Sequence, residues 1–195
     1  AHVAERLAQA GYATLTYDGL GHGKTTGKRG HTPTYEAFLN SVKIVLDEAE
    51  TRFPGVKKFL WGHSMGGGSS FLAMQYNPNI TAIVNLAAAE TNPSAIAACS
   101  TIIKNALVIA GANDCICPPA TNQLAMYNAL GSNCKVYVSI TGASHCQFAN
   151  NNLNCSFGEL TCTPQPAISR ATQQSIVNQL IVPWLKFQLE NDCTA

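Results

Sequence analysis

The stretch Lys57-Lys58-Phe59-Leu60-Trp61-Gly62-His63-Ser64-Met65-Gly66-Gly67-Gly68 constrains this chain more than any other. Apolar Phe59 to Trp61 predict a short buried strand, and Phe71, Leu72 and Met74, at helical spacing, predict a helix beyond it. Between them lies Gly62-x-Ser64-x-Gly66. A serine on so tight a strand-to-helix turn is held in a strained backbone conformation, with its hydroxyl exposed above the sheet. The glycines are expected to provide room, since a side chain at 62 or 66 would collide where strand and helix pass closely. The helix after Ser64 aims its N-terminal amides at any anion formed there. A Gly/Ser loop, the bland alternative, does not account for the strand before the motif or the helix after it.

With 195 residues, 46% hydrophobic and 12% charged, the chain can bury one sizeable core, and a single domain over residues 1–195 is expected. The formal net charge of +1, with Lys and Arg scattered, provides no stripe for nucleic acid and no polybasic membrane patch. No apolar run reaches the roughly 18 residues that span a bilayer, so stable membrane insertion is not expected. All eight cysteines lie at or after Cys99. An even count at that density points to disulfides and an oxidising compartment, hence a secreted protein. Zinc is the rival reading, through Cys115-x-Cys117 and His145-Cys146. It lacks both the C-x2-C and the H-x3-5-H spacing, and no metal is expected.

The remaining pattern alternates. Val3, Leu7, Ala8 and Ala10 predict a first helix closed by Gly11, followed by a strand at residues 13–17. Asp18-Gly19-Leu20-Gly21-His22-Gly23-Lys24-Thr25-Thr26 nearly spells a phosphate-binding loop. Asp18 stands where that loop needs glycine, and a carboxylate there would face the phosphates. Thr32 is a candidate cap, with Pro33 in the first turn, for a helix whose stripe Tyr35, Phe38, Val42, Val45, Ala49 and Phe53 is expected to be core. Strands at 81–86, 106–111 and 135–140 alternate with helices at 93–103 and 119–130. Residues 149–166 read as an Asn-, Cys- and Pro-rich loop, and a last helix carries Ile176, Val177, Leu180, Ile181, Trp184, Leu185 and Leu189 on one side, with a kink expected at Pro183. Strands alternating with helices imply an α/β fold with a parallel sheet covered on both faces.

A serine hydroxyl is a poor nucleophile at neutral pH. It needs a histidine base, which needs a carboxylate to hold its tautomer and stabilise its charge. In such a sheet these partners follow later strands in the order serine, acid, histidine. Asp114 follows the strand ending at Gly111, and His145 follows the strand ending at Ile140. Glu90 is the rival acid, one strand earlier, and Asp18 a weaker one. His63 adjoins the serine too closely to swing round as its base, and His22 and His31 lie on the early loop. The Met65 amide is a candidate oxyanion donor. His63 and Glu90 are expected to border the substrate.

Asp18-Gly19-Leu20-Gly21-His22-Gly23, residues 28–36 and the Gly62 to Gly67 motif together resemble monoacylglycerol lipases and lysophospholipases. Residues 108–114 with Pro118, and Gly142-Ala143-Ser144-His145, resemble cutinases and bacterial polyester hydrolases. Both groups belong to the α/β-hydrolase superfamily. The resemblance implies a serine ester hydrolase that uses Ser64, His145 and Asp114, needs no cofactor, and acts as a monomer on small or polymeric hydrophobic esters. The alternatives are a glycerolipid hydrolase of the monoacylglycerol-lipase kind and a non-catalytic binding module of the same fold. The short segment between the strands at 81–86 and 106–111 leaves no space for a cap domain.

Two further expectations follow from the resemblance. If Asp114 meets His145, their loops approach closely enough for a bridge from Cys115 or Cys117 to Cys146, as some polyester hydrolases have between these loops, while Cys155 and Cys162 close the Asn-rich loop locally. In the resembled family a strand that precedes the first helix lies between the strand at 13–17 and the nucleophile strand. The domain is therefore expected to be N-terminally incomplete, with the alternative that the strand at 13–17 pairs directly with that at 57–62.

Overall fold

The computed structural model describes residues 2–31 and 34–190. Four runs rich in aliphatic residues form its sheet: β1 (Lys58–His63), β2 (Ile80–Leu86), β3 (Asn105–Gly111) and β4 (Lys135–Ile140). All pairs are parallel, in the order β1-β2-β3-β4. β2 and β3 are almost wholly buried, as expected for central strands of a parallel sheet with both faces covered.

Alternate side chains of these strands feed two separate cores. Ile80, Ile83, Ala106 and Val108 pack under α3 (Met65–Tyr76), α4 (Ala95–Cys99) and α5 (Gln123–Ala129), through Phe71, Met74, Ala95, Cys99 and Met126. Val84, Leu107 and Ile109 face the other way, against α1 (His2–Gln9) and α7 (Arg170–Glu190), through Val3, Leu7, Val177, Ile181 and Leu185. Burying one such aliphatic side chain stabilises the fold by about 1.5–3 kcal/mol. α7 continues through Pro183 as one helix, and residues 87–104, between β2 and β3, hold only α4.

Several expectations are corrected. Residues 13–17 form no strand, and no backbone hydrogen bond joins them to residues 57–62 among the described residues. Among the described residues β1 pairs with β2 alone, and a strand without a partner leaves its own donors and acceptors unpaired in the sheet. Between residues 12–15 and β1 lies an apolar cavity of about 200 Å³, walled also by Leu7, Val45, Ala49 and Phe53. This space explains why the stripe on α2 (Tyr35–Arg52) is not core. Only Val42 of that stripe is buried. Thr32 and Pro33 lie outside the described residues, and the cap is Thr34, whose Oγ1 accepts from the Ala37 amide at 3.1 Å. The helix expected at 93–103 contracts to α4. That expected at 119–130 divides into a 3₁₀ turn at Pro119–Thr121 and α5. Residues 149–166 are not all loop, because they contain α6 (Leu153–Glu159). Among the described residues no helix is long and apolar enough to cross a membrane, and no group of three His, Cys, Asp or Glu could hold a metal.

Candidate active site

β1 ends one residue before Ser64, and α3 begins one residue after it. So abrupt a reversal puts Ser64 at φ 58°, a region that non-glycine residues rarely occupy. The conformation is held from all sides: the Ser64 amide donates to Leu86 O at 3.1 Å, and its carbonyl accepts from Gly67, Gly68 and Ala89. A Cβ on Gly62 would strike the backbone of Gly66, and one on Gly68 the carbonyl of Ala89. Gly66 itself has open space where a Cβ would go, so the expectation of a collision there is corrected. The Met65 amide heads α3, in the first turn whose donors have no acceptor within the helix.

Two loops bring partners to Ser64. Beyond β3, the Asn113 amide donates to Ala143 O at 2.8 Å, and Gly111 lies so close to Ala143 that a Cβ would come within 2.7 Å of its carbonyl. The loops after β3 and β4 therefore run against each other. His145 Nε2 lies 2.9 Å from Ser64 Oγ, and His145 Nδ1 lies 2.8 Å from Asp114 Oδ2. The other carboxylate oxygen of Asp114 accepts from the Cys117 amide at 2.7 Å. Asp114 and His145 are both buried. Burial opposes a charge on His145. The Asp114 hydrogen bond, with smaller contributions from the Cys117 side chain and the Asp114 charge, outweighs it and pushes the imidazole up to about 9.

The remaining residues singled out from sequence lie around this row. His63 donates from Nε2 to the backbone carbonyl of His145 at 3.1 Å, and the two rings are 4.8 Å apart. Burial and the neighbouring His145 lower His63 to about 4, so it stays neutral at neutral pH. Glu90 does not reach His145. Its Oε2 accepts from the Ile96 amide at 3.0 Å in the first turn of α4. Asp18 accepts from the Lys24 amide within its own loop.

The expected bridge between Cys115 or Cys117 and Cys146 is replaced by two others, Cys115–Cys162 and Cys146–Cys155, and the local Cys155–Cys162 closure is absent. Cys117 is a free, buried thiol. The loops of Asp114 and His145 do meet, but α6 and the turn after it are stapled to both, so the segment acts as a strap across them. Sequence gave no hint of three more supports. Gln173 on α7 brackets Ser144, Glu159 Oε1 accepts from the Cys146 amide at 2.7 Å, and Arg170 donates to Cys146 O at 2.6 Å and to Ala149 O. Their signal is tertiary, since each is polar and withdrawn from solvent, Gln173 and Glu159 wholly and Arg170 in part, only because of where its helix docks.

Residues 1–106 match the hydrolase family described as serine aminopeptidase, S33. The chain belongs to this family. Among curated relatives it is 30% identical over 94 residues to a monoglyceride lipase homolog of Monkeypox virus, covering 48% of this chain and 34% of that protein. It is 26% identical over 194 residues to cutinase 1 of Thermobifida cellulosilytica, covering 98% of this chain and 63% of the cutinase. The chain thus spans less than two thirds of the length of either relative. Its fold is similar to the crystal structure of Paleococcus ferrophilus monoacylglycerol lipase, with a TM-score of 0.73 and 21% identity over 95% of this chain and 88% of that one. This is the α/β-hydrolase fold.

Proposed function

We propose that this protein is a serine hydrolase of hydrophobic carboxylic esters, working through an acyl-enzyme. The observation that carries the reading is the unbroken row of hydrogen bonds from Ser64 Oγ through His145 to Asp114. His145 Nε2 takes the Ser64 proton as Oγ attacks the ester carbonyl, and the charge gained by the imidazole is stabilised by Asp114. The oxyanion takes a hydrogen bond from the Met65 amide, a type of contact that supplies about 10²–10³ in rate. The tetrahedral intermediate collapses, His145 returns the proton to the leaving alcohol, and water then hydrolyses the acyl-serine by the same route. No step calls for a cofactor. His63 and Glu90, which border the substrate in this reading, also support the site through the His145 backbone and α4.

An open, cutinase-like site is favoured over a capped glycerolipid site because residues 87–104 carry only α4 and the Met65 side chain is 70% exposed beside the serine. The Cys115–Cys162 and Cys146–Cys155 disulfides support action in an oxidising compartment, and so export, and the protein is expected to work as a monomer. A fluorophosphonate probe should label Ser64, and a panel of short-chain, long-chain, monoacylglycerol and polymeric esters, with an aminoacyl anilide, should rank the substrates against Ser64→Ala. No labelling would indicate a binding module. Cleavage of the anilide alone would make the protein a peptidase.

A further inference from the structure

α6 and the turn after it have an inverted pattern. Cys155, Glu159 and Cys162 recur at i, i+4 and i+7, and all three point inward: two are disulfide-bonded, and Glu159 is buried against the Cys146 amide. Leu153, Phe157 and Leu160 recur at the same interval two residues out of phase, which puts them on the opposite side of the helix. They are 84%, 77% and 68% exposed. Such a helix turns its polar and covalent contacts to the protein and its apolar stripe to water. Ile116, between the acid loop and the strap, is also 43% exposed.

Seven residues cannot hold so unfavourable a face by helix propensity. The staples hold it. Cys155 and Cys146 are 5.6 Å apart at Cα, and Cys146 adjoins His145, so chain geometry keeps Phe157 within about 15 Å of the imidazole-bearing residue. The stripe therefore lies near the His145 loop, on the side of α6 that faces away from it. Charge narrows what it could meet. Between His145 and Arg170 the only Asp, Glu, Lys or Arg is Glu159, which faces inward. An anionic bilayer needs cations at such a surface, and residues 146–169 supply none. An apolar stripe rimmed by uncharged Asn150, Asn151, Asn152 and Thr161 suits a neutral, water-insoluble surface.

We propose that Leu153, Phe157 and Leu160 form a docking face that adsorbs the protein to the surface of a solid, uncharged polyester and so brings Ser64 near it. The inference rests on the ester-hydrolase reading of Ser64, and its test separates the two. Adsorption of Ser64→Ala protein to poly(ε-caprolactone) particles is measured by sedimentation, with and without Leu153→Ser/Phe157→Ser/Leu160→Ser. Turnover of the same particles and of p-nitrophenyl acetate is measured in the active protein. The triple variant is expected to lose at least about tenfold in adsorption and in particle turnover, and to keep kcat/KM for the soluble ester within about twofold. Phe157→Leu, which keeps the apolar surface, should retain adsorption. Unchanged adsorption by the triple variant overturns the proposal. So does equal binding of the parent to phosphatidylcholine vesicles, or a parental dimer that the triple variant dissociates. A parent inert toward every soluble ester would instead sink the hydrolase reading, and the Ser64→Ala adsorption comparison would still decide the docking face.

Discussion

Gln173 brackets Ser144: its Oε1 accepts from the Ser144 amide at 3.0 Å, and its Nε2 donates to the Ser144 carbonyl at 2.8 Å. The side chain is fully buried, and it fixes the residue that precedes His145. Gln173→Ala would leave two buried backbone groups unpaired, each costing about 1–3 kcal/mol, and would loosen the base. We expect a lower melting temperature and a kcat reduced about 10–100-fold with KM within a few-fold. A fall in KM affinity alone would mean that Gln173 shapes the substrate site instead.

Ser64→Ala and His145→Ala are each expected to remove about 10⁴–10⁶ of the ester turnover while leaving the melting temperature within a few degrees, as for residues that act as a unit. Asp114→Asn should lower it strongly, and Glu90→Gln only modestly. The reverse ranking of these two would transfer the role of acid to Glu90.

The two histidines predict opposite pH effects. His145 must be neutral to act as base, so kcat/KM should rise with pH through an apparent pKa above the ordinary 6.5, towards 9, and Asp114→Asn should move that limb to lower pH. For stability, the folded protein holds more protons on His145 than the unfolded chain between 6.5 and about 9. That contribution is complete below 6.5 and is lost as pH rises through 9. His63 is lowered, so between about 4 and 6.5 the unfolded chain holds more protons, and stability falls as pH drops through this window. Melting temperatures from pH 4 to 10 should show a maximum between the two windows, and His63→Gln should flatten the acid side.

Gly66→Ala and Gly68→Ala offer a matched pair within one helix turn. Open space at 66 and the better helix propensity of alanine predict a change in stability within about 1 kcal/mol. At 68 the new methyl meets the Ala89 carbonyl, which itself helps to hold Ser64, so stability and turnover should both fall. Equal effects in chemical denaturation would contradict this account of the elbow.

Cys155→Ser frees α6 from the residue beside His145. The closed loop spans a sequence separation of 9, and the chain-entropy model assigns such a bridge roughly 2–3 kcal/mol. Denaturant midpoints should fall accordingly, and turnover should fall further than stability alone explains, because the strap also holds the Cys146 amide through Glu159. Unchanged turnover would reduce the strap to a stability device.

Much of the fold was legible because its signals are local. Strands at 80–86, 105–111 and 135–140 stand within a residue of the runs that predict them, and that at 58–63 encloses the apolar Phe59 to Trp61; the two central strands read most plainly because strands buried on both faces tolerate little but apolar residues. Gly62-x-Ser64-x-Gly66 names its own turn, and chain order singled out the three residues that the structure brings within hydrogen-bond distance. Residues 13–17 misled for the opposite reason. Their composition suits a strand, but a ladder needs a neighbour, and composition does not say whether one is there.

Sequence by itself determined the alternation of strand and helix, the strained serine and the even, late set of cysteines, all properties of residues near one another in the chain. Only the tertiary structure decided which cysteines bond, that Gln173, Glu159 and Arg170 hold the His145 loop, and that Leu153, Phe157 and Leu160 face solvent. A disulfide forms between whichever sulfurs the folded backbone brings to about 5.6 Å at Cα. A polar side chain on a helix becomes a clamp only when that helix docks against the loop it grips, and docking depends on contacts far apart in sequence.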